Sequence, residues 1–299
     1  MRTFLIVGAL MLLGGCGTFR AKNDASEGAY YFAQNDFKNS TRHFHKAVRA
    51  DPKNTEYLTL LGWSCFKLAN YPKAIATFGK LGKMDPKCVD AYTGTGWCYF
   101  KQDDYDRAIR WFEKAAKVDP SASDPYSGLG WCHLKKGEAD KAEKYFFAVL
   151  RRGLKYGSGG SAKTDPEAHR GLGYLNFGKR DYPTALRHFK TATILMPDWN
   201  DARVKWGDCL AAMEKYMDSL EVYRRSLDYA KSAELYDKLG WTYFRLKDRP
   251  SLFGLIEYGG YEGAAREMFK KALAIDPTYA SSLSGLAKLS PDKAGKPSP

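Results

Sequence analysis

The chain has 299 residues, with 47 basic and 34 acidic side chains, a formal net charge of +13, and 44% apolar and 14% aromatic residues. That content is too apolar for a disordered polymer, and 27% charged residues with a mean hydropathy of -0.49 exclude a polytopic membrane protein. The length suits two ordinary domains, or one array whose core grows with each added unit.

The N-terminal residues stand apart. Met1, Arg2 and Thr3 lead into the apolar run FLIVGALMLL at 4–13, then Gly14, Gly15 and Cys16. A basic start, an apolar run too short to span a bilayer and small residues before a cysteine read as an export signal. Leu13-Gly14-Gly15-Cys16 is similar to the lipobox of bacterial lipoproteins, which implies cleavage before Cys16 and lipidation of that residue. Gly17 stands where an inner-membrane retention signal would place Asp, and so resembles lipoproteins sent to the outer membrane. Simple secretion into the periplasm is the alternative. Residues 1–15 are therefore expected to be a leader, and 16–25 a lipidated cysteine with a short tether. Removing 1–15 takes away only Arg2, which leaves 46 basic against 34 acidic side chains, net +12.

From Leu60 to Pro86 the chain reads LLGWSCFKLANYPKAIATFGKLGKMDP, and from Gly94 to Pro120 it reads GTGWCYFKQDDYDRAIRWFEKAAKVDP. Gly62 recurs as Gly96 and Gly130, 34 residues apart each time. Within a unit, Tyr92, Thr95, Gly96 and Tyr99 form one face of a first helix, and Tyr105, Ala108, Phe112 and Ala115 one face of a second. Gly96, Ala108 and Ala115 are small where the helices cross, and Asp119-Pro120 closes the unit.

This pattern resembles the tetratricopeptide repeat. The resemblance implies an all-α fold, a right-handed α-solenoid of about seven helical hairpins plus a C-terminal capping helix, spanning 26–290. Units fall near 21–54, 55–88, 89–122, 123–156, 166–199, 200–232 and 233–277, with the cap near 278–290. Pro52, Pro86, Pro120, Pro197 and Pro277 close units, whereas Leu154 and Lys231 take that place in the fourth and sixth, so those joints are expected to be less regular. Insertions are predicted near 153–164 and 248–260, and 291–299 as a disordered tail. Cys98, Cys132 and Cys209 recur at one helical place, which reads as packing of buried free thiols; Cys88, between units, is expected to be exposed.

In this family certain first-helix positions line a concave groove. Carried over, the residues after the glycine are Trp63, Trp97, Trp131, Tyr174 and Trp241. Three residues on come Phe66, Phe100, Leu134, Phe177 and Phe244, and next to four of these Lys67, Lys101, Lys135 and Arg245. Flat apolar rings beside cations suit an extended polymer, either a peptide with aromatic and acidic side chains or a glycan stacked on the rings. The other reading is that the rings pack between neighbouring first helices. Glu56, Asp90, Asp124, Glu167, Asp201 and Glu234 open the first helices, where the macrodipole favours negative charge. Trp and acids replace the Asn and Lys with which co-chaperone members grip a terminal carboxylate, which argues against chaperone-tail binding.

Catalytic chemistry is not expected. GSGGSAKT at 157–164 departs from a phosphate loop at Ala162 and falls between helical hairpins, so it reads as a flexible link. His43, His45, His133, His169 and His188 lack zinc-site spacing, and no serine sits in a nucleophile elbow. No enzyme activity, metal or cofactor is therefore predicted. In an exported protein the positive charge would meet lipid headgroups and envelope glycans, not nucleic acid. Two functions follow: a non-enzymatic scaffold binding envelope proteins during assembly of a pilus, secretion or cell-wall machine, or a module for exported polysaccharide or peptidoglycan. The apolar stretch SLFGLIEYGG, 251–260, is either a cover for the C-terminal units or a docking element.

Overall fold

The computed structural model describes residues 16–156, 165–248 and 260–289. The leader, the link at 157–164 and almost all of the 251–260 stretch lie outside the described residues, as does the tail. The described residues form helices only and divide into two units, 1–163 and 164–299. Unit 1 contains α1 (Cys16–Ala33), α2 (Phe37–Ala50), α3 (Thr55–Lys67), α4 (Tyr71–Met84), α5 (Val89–Lys101), α6 (Tyr105–Val118), α7 (Asp124–Lys135) and α8 (Ala139–Tyr156). Unit 2 contains α9 (Pro166–Gly178), α10 (Tyr182–Leu195), α11 (Asn200–Ala212), α12 (Tyr216–Ser226), α13 (Ala233–Arg245), α14 (Gly260–Ile275) and α15 (Ala280–Lys288). Within each unit successive helices pack on one another, the first helix of a hairpin against its second and that second helix against the next first helix.

The chain stops and restarts its helices by local chemistry. Between the helices of a hairpin one residue takes the left-handed conformation: Asn35, Ala69, Asp103 and Gly137 in unit 1, Arg180 and Glu214 in unit 2. In most hairpins an N-cap follows at once; Asp36, Asn70, Asp104 and Asp181 each accept the amide three residues on. The Asp-Pro that closes units works in two parts. Proline prevents another turn, while Asp85, Asp119 and Asp276 accept the amides of Lys87, Ser121 and Thr278 at 2.8–3.0 Å.

The recurring glycine exists because of a phenylalanine one helix later. Phe44, Phe78, Phe112, Phe146, Phe189 and Phe269 are completely buried. A Cβ on Gly62 or Gly94 would lie 2.5 or 2.4 Å from the Phe78 ring; on Gly96 or Gly128, 2.7 or 2.5 Å from Phe112. Phe78 and Phe112 are thus each gripped between the backbones of two successive first helices, and Phe269 repeats this between Gly240 and Gly285. Burying one such ring contributes roughly 1.5–3 kcal/mol, which only a glycine-sized neighbour permits here. Cys65, Cys98, Cys132 and Cys209 are free and buried beside these contacts, and burial pushes the thiols of Cys98, Cys132 and Cys209 up to about 12.

Two local expectations change. The stretch 16–25 is not an extended tether: α1 begins at Cys16, and Ala21 and Ala25 are buried in the unit 1 core. Cys88 is half-buried at the N-cap of α5, and burial raises its thiol above the ordinary range. Without a closing proline, α8 runs on to Tyr156 for 18 residues, whereas α12 stops at Ser226 after 11. Helix α13 ends at Arg245 and α14 begins at Gly260, and most of the insertion predicted near 248–260 lies outside the described residues.

Candidate functional site

In unit 1 the repeated tryptophans belong to the core and the surface at once. The Trp97 ring meets Phe112 edge-on at 5.1 Å and Phe100 at 5.4 Å; Trp63 meets Phe78 at 5.3 Å and Phe66 at 5.6 Å. Both tryptophans remain half-buried. Trp131, 5.6 Å from Phe146, is only 7% exposed, so it is a core residue and not a free face. Phe66 and Phe100 continue the aromatic contacts to Tyr71 and Tyr105 of the second helices. Lys67, Lys101 and Lys135 sit in the last turns of α3, α5 and α7, where cations complement the helix dipole. All three are exposed, and none has a carboxylate within 4.0 Å among the described residues. Half-exposed indoles beside unneutralised ammonium groups can take up a flat apolar group and an anion together.

The same positions in unit 2 are occupied by ties between helices. The Tyr174 hydroxyl donates to Asp201 at 3.3 Å, and Arg170 bridges Glu167 at 2.6 Å and Asp201 at 3.1 Å while lying over the Trp199 ring. Burial works against the Arg170 charge, but the two carboxylates outweigh it and hold its pKa above the usual value. Trp241 packs on Phe269 and Phe244, its indole N–H donates to Ser281 at 2.8 Å, and Lys288 covers its face. Lys205 lies over the Phe177 ring. Arg245 is exposed, and Lys247 lies over Phe244.

One site in unit 2 was not foreseen. Asp208 stands after Gly207, where five of the other hairpins place Trp or Tyr and the first places Ala29, and its side chain is 9% exposed. Lys205 and Lys238 both reach it at 2.9 Å, and the Tyr223 hydroxyl donates to it at 2.7 Å. Burial alone would raise its pKa, but the attraction of Lys238, with hydrogen bonds from both lysines and Tyr223, holds it below 3.8. Next to it in sequence pattern, Asp237 accepts from Ser281 and Ser282 of α15 at 2.8 and 2.7 Å. The only sequence signal was negative: one unit whose aromatic row is broken. Among the described residues no group of three His, Cys, Asp or Glu is arranged to hold a metal ion.

Models of the tetratricopeptide repeat match residues 26–81 and 66–125, and a second such model matches 99–155. Residues 26–155 are built from tetratricopeptide repeats. Solved structures extend the same fold through unit 2. The Cut9–Hcn1 tetramer of the APC/C is similar over 96% of this chain, with a TM-score of 0.70 and 19% identity; this chain spans 51% of that one, about half its length. YrrB, a repeat protein described as having an unusual peptide-binding site, is similar over 69% of this chain and 96% of its own, with a TM-score of 0.50 and 22% identity. PilW, described as a type IV pilus biogenesis factor, is similar over 72% of this chain and 96% of its own, with a TM-score of 0.56 and 18% identity. A comparison with curated protein sequences finds no match. The predicted site residues form two sets. In unit 1, Trp63, Phe66, Trp97 and Phe100 are half-buried and Lys67, Lys101 and Lys135 are exposed, with Trp131 withdrawn into the core. Tyr174, Phe177, Trp241, Phe244 and Arg245 belong to unit 2, where the first two and Trp241 are engaged by neighbouring polar side chains.

Proposed function

We propose that the protein is a non-enzymatic scaffold that holds an extended segment of a partner protein on the first-helix face of unit 1. The observation that carries this is the contrast at equivalent positions. Trp63 and Trp97 remain half-buried beside exposed Lys67, Lys101 and Lys135, none of which has a carboxylate within 4.0 Å among the described residues, whereas Tyr174, Phe177 and Trp241 of unit 2 are engaged by Asp201, Lys205 and Ser281. Such a face selects a segment with aromatic and acidic side chains. The lipobox-like Leu13 to Cys16 supports a lipid anchor on the periplasmic face of the outer membrane, and the likeness to a pilus biogenesis factor supports a role in assembling a pilus, secretion or cell-wall machine. Among the described residues no helix is long and apolar enough to cross a membrane.

The decisive experiment titrates the protein with envelope proteins and with glycan fragments while following tryptophan fluorescence. Trp63→Ala with Trp97→Ala should lower affinity for the protein partner by roughly 1–3 kcal/mol per ring with folding retained. A response to glycans alone would replace the protein partner with a polysaccharide. Cys16→Ser should release the protein from membranes; unchanged membrane association sinks the anchor.

A further inference from the structure

A second site opens where unit 2 departs from its own repeat. Helix α12 stops after 11 residues, while α10 has 14 and α14 has 16. Residues 227–229 turn away, and Lys231 stands where regular units place proline. A cleft of about 280 Å³ lies among α12 with the turn after it, α13 and α14. Its floor is apolar. Leu239, Tyr243 and Ala264 are buried there, and the half-buried Leu227, Tyr236 and Met268 form the walls.

The rim has the opposite character. Arg224, Lys231 and Lys271 come to it from the end of α12, the following turn and α14. Arg224 and Lys231 have no carboxylate within 4.0 Å among the described residues, and Lys271 meets only the exposed Glu267 at 3.6 Å. Three cations around one apolar cleft repel one another unless an anion enters. Long basic side chains also lie over apolar surface with their heads in water, and in that case neutral replacements would change nothing.

We propose that this cleft binds an amphipathic carboxylate, its apolar tail on Leu239, Tyr243 and Met268 and its head among Arg224, Lys231 and Lys271. The volume holds about nine groups of roughly 30 Å³, the size of a chain of some eight carbons with its head group. The combination is that of a small-molecule site, mostly apolar with a few convergent polar groups. It does not depend on the first-helix face of unit 1.

The test follows the Met268 methyl resonance in the full chain labelled with ¹³C-methyl methionine, assigned by its loss in Met268→Leu. Octanoate should give a saturable shift, octanol binding at least tenfold weaker, and acetate no shift. Arg224→Gln with Lys231→Gln should weaken octanoate at least fivefold at unchanged Tm, since both side chains are exposed. Three results overturn the proposal: a Met268 signal indifferent to octanoate, equal affinity for octanol, or undiminished octanoate affinity in the double variant.

Discussion

Phe112 and Tyr223 occupy the same place in their hairpins, yet the two units build different joints around them. Phe112 lies between Gly96 and Gly128 and meets Trp97 in an edge-on contact, in a cluster with Ala108, Leu129 and Cys132. Tyr223 also presses on a glycine, Gly207, but its hydroxyl needs an acceptor, and Asp208 supplies one from the position Trp97 holds in unit 1. A buried carboxylate then requires cations, so Lys205 and Lys238 turn inward. One added oxygen thus converts a dry joint into a charged one.

The comparison breaks most visibly if the dry joint is emptied. Phe112→Ala should destabilise unit 1 by about 3–5 kcal/mol, read as lost hydrogen-exchange protection in peptides of α5 to α7. Unit 2 peptides should keep theirs, because each hairpin leans only on its neighbours. Next in size is Asp208→Asn, which leaves Lys205 without its carboxylate and Lys238 with Glu234 at 3.4 Å alone; unit 2 should lose about 3 kcal/mol in chemical denaturation. An unchanged midpoint would show that the lysines simply rehydrate.

A smaller effect tests the glycine grip itself. Gly94→Ala pushes a methyl group into Phe78 and should cost about 1–3 kcal/mol, while Gly79→Ala, with nothing within 4 Å of the added carbon, should stabilise by about 0.5–1 kcal/mol. Equal outcomes for the two would remove the account of the repeat given above.

The smallest difference concerns acid. His169 and His188 in unit 2 face each other, Nδ1 to Nδ1, at 2.9 Å, and burial, then His169 and Arg187, pushes His188 down to about 4. A histidine with a depressed folded pKa contributes stability above its unfolded value of about 6.5, and loses it as pH falls toward 4. Unit 2 should therefore soften by a few degrees in Tm over that window, and His188→Gln should flatten the slope. Asp208, also depressed, adds its own loss only below its ordinary 3.8.

Most of the architecture was legible because a 34-residue period repeats both the helix-packing residues and the turn chemistry. Gly62, Phe78 and Asp85-Pro86 each act within one or two helices, so their spacing carries their meaning. The start of α1 was hidden, since nothing in the polar run after Cys16 shows that Ala21 and Ala25 are covered. The site was half legible. The row of aromatics was visible, but burial depends on neighbours: Trp63 and Trp131 look identical in the pattern, and only one is withdrawn. The acids opening the first helices had a sufficient local explanation in the helix dipole, which concealed that Asp201 binds Tyr174 and Arg170 of the preceding first helix. Asp208 and Lys238 are 30 positions apart, and charges at that separation leave no periodic trace.

The glycines on either side of Phe78 and Phe112 also bear on how such a molecule changes length. Gly128 stands 34 residues after Gly94, and Gly130 stands 34 after Gly96. Excision of residues 89–122 would bring Phe78 against Gly128, the same fit it has now. A crossover in the gene at that seam therefore yields a shorter protein with no misfitted joint, and a duplication yields a longer one. Unit 2 offers no equal freedom around Tyr223, because Asp208 and Lys238 belong to different hairpins and must be inherited together.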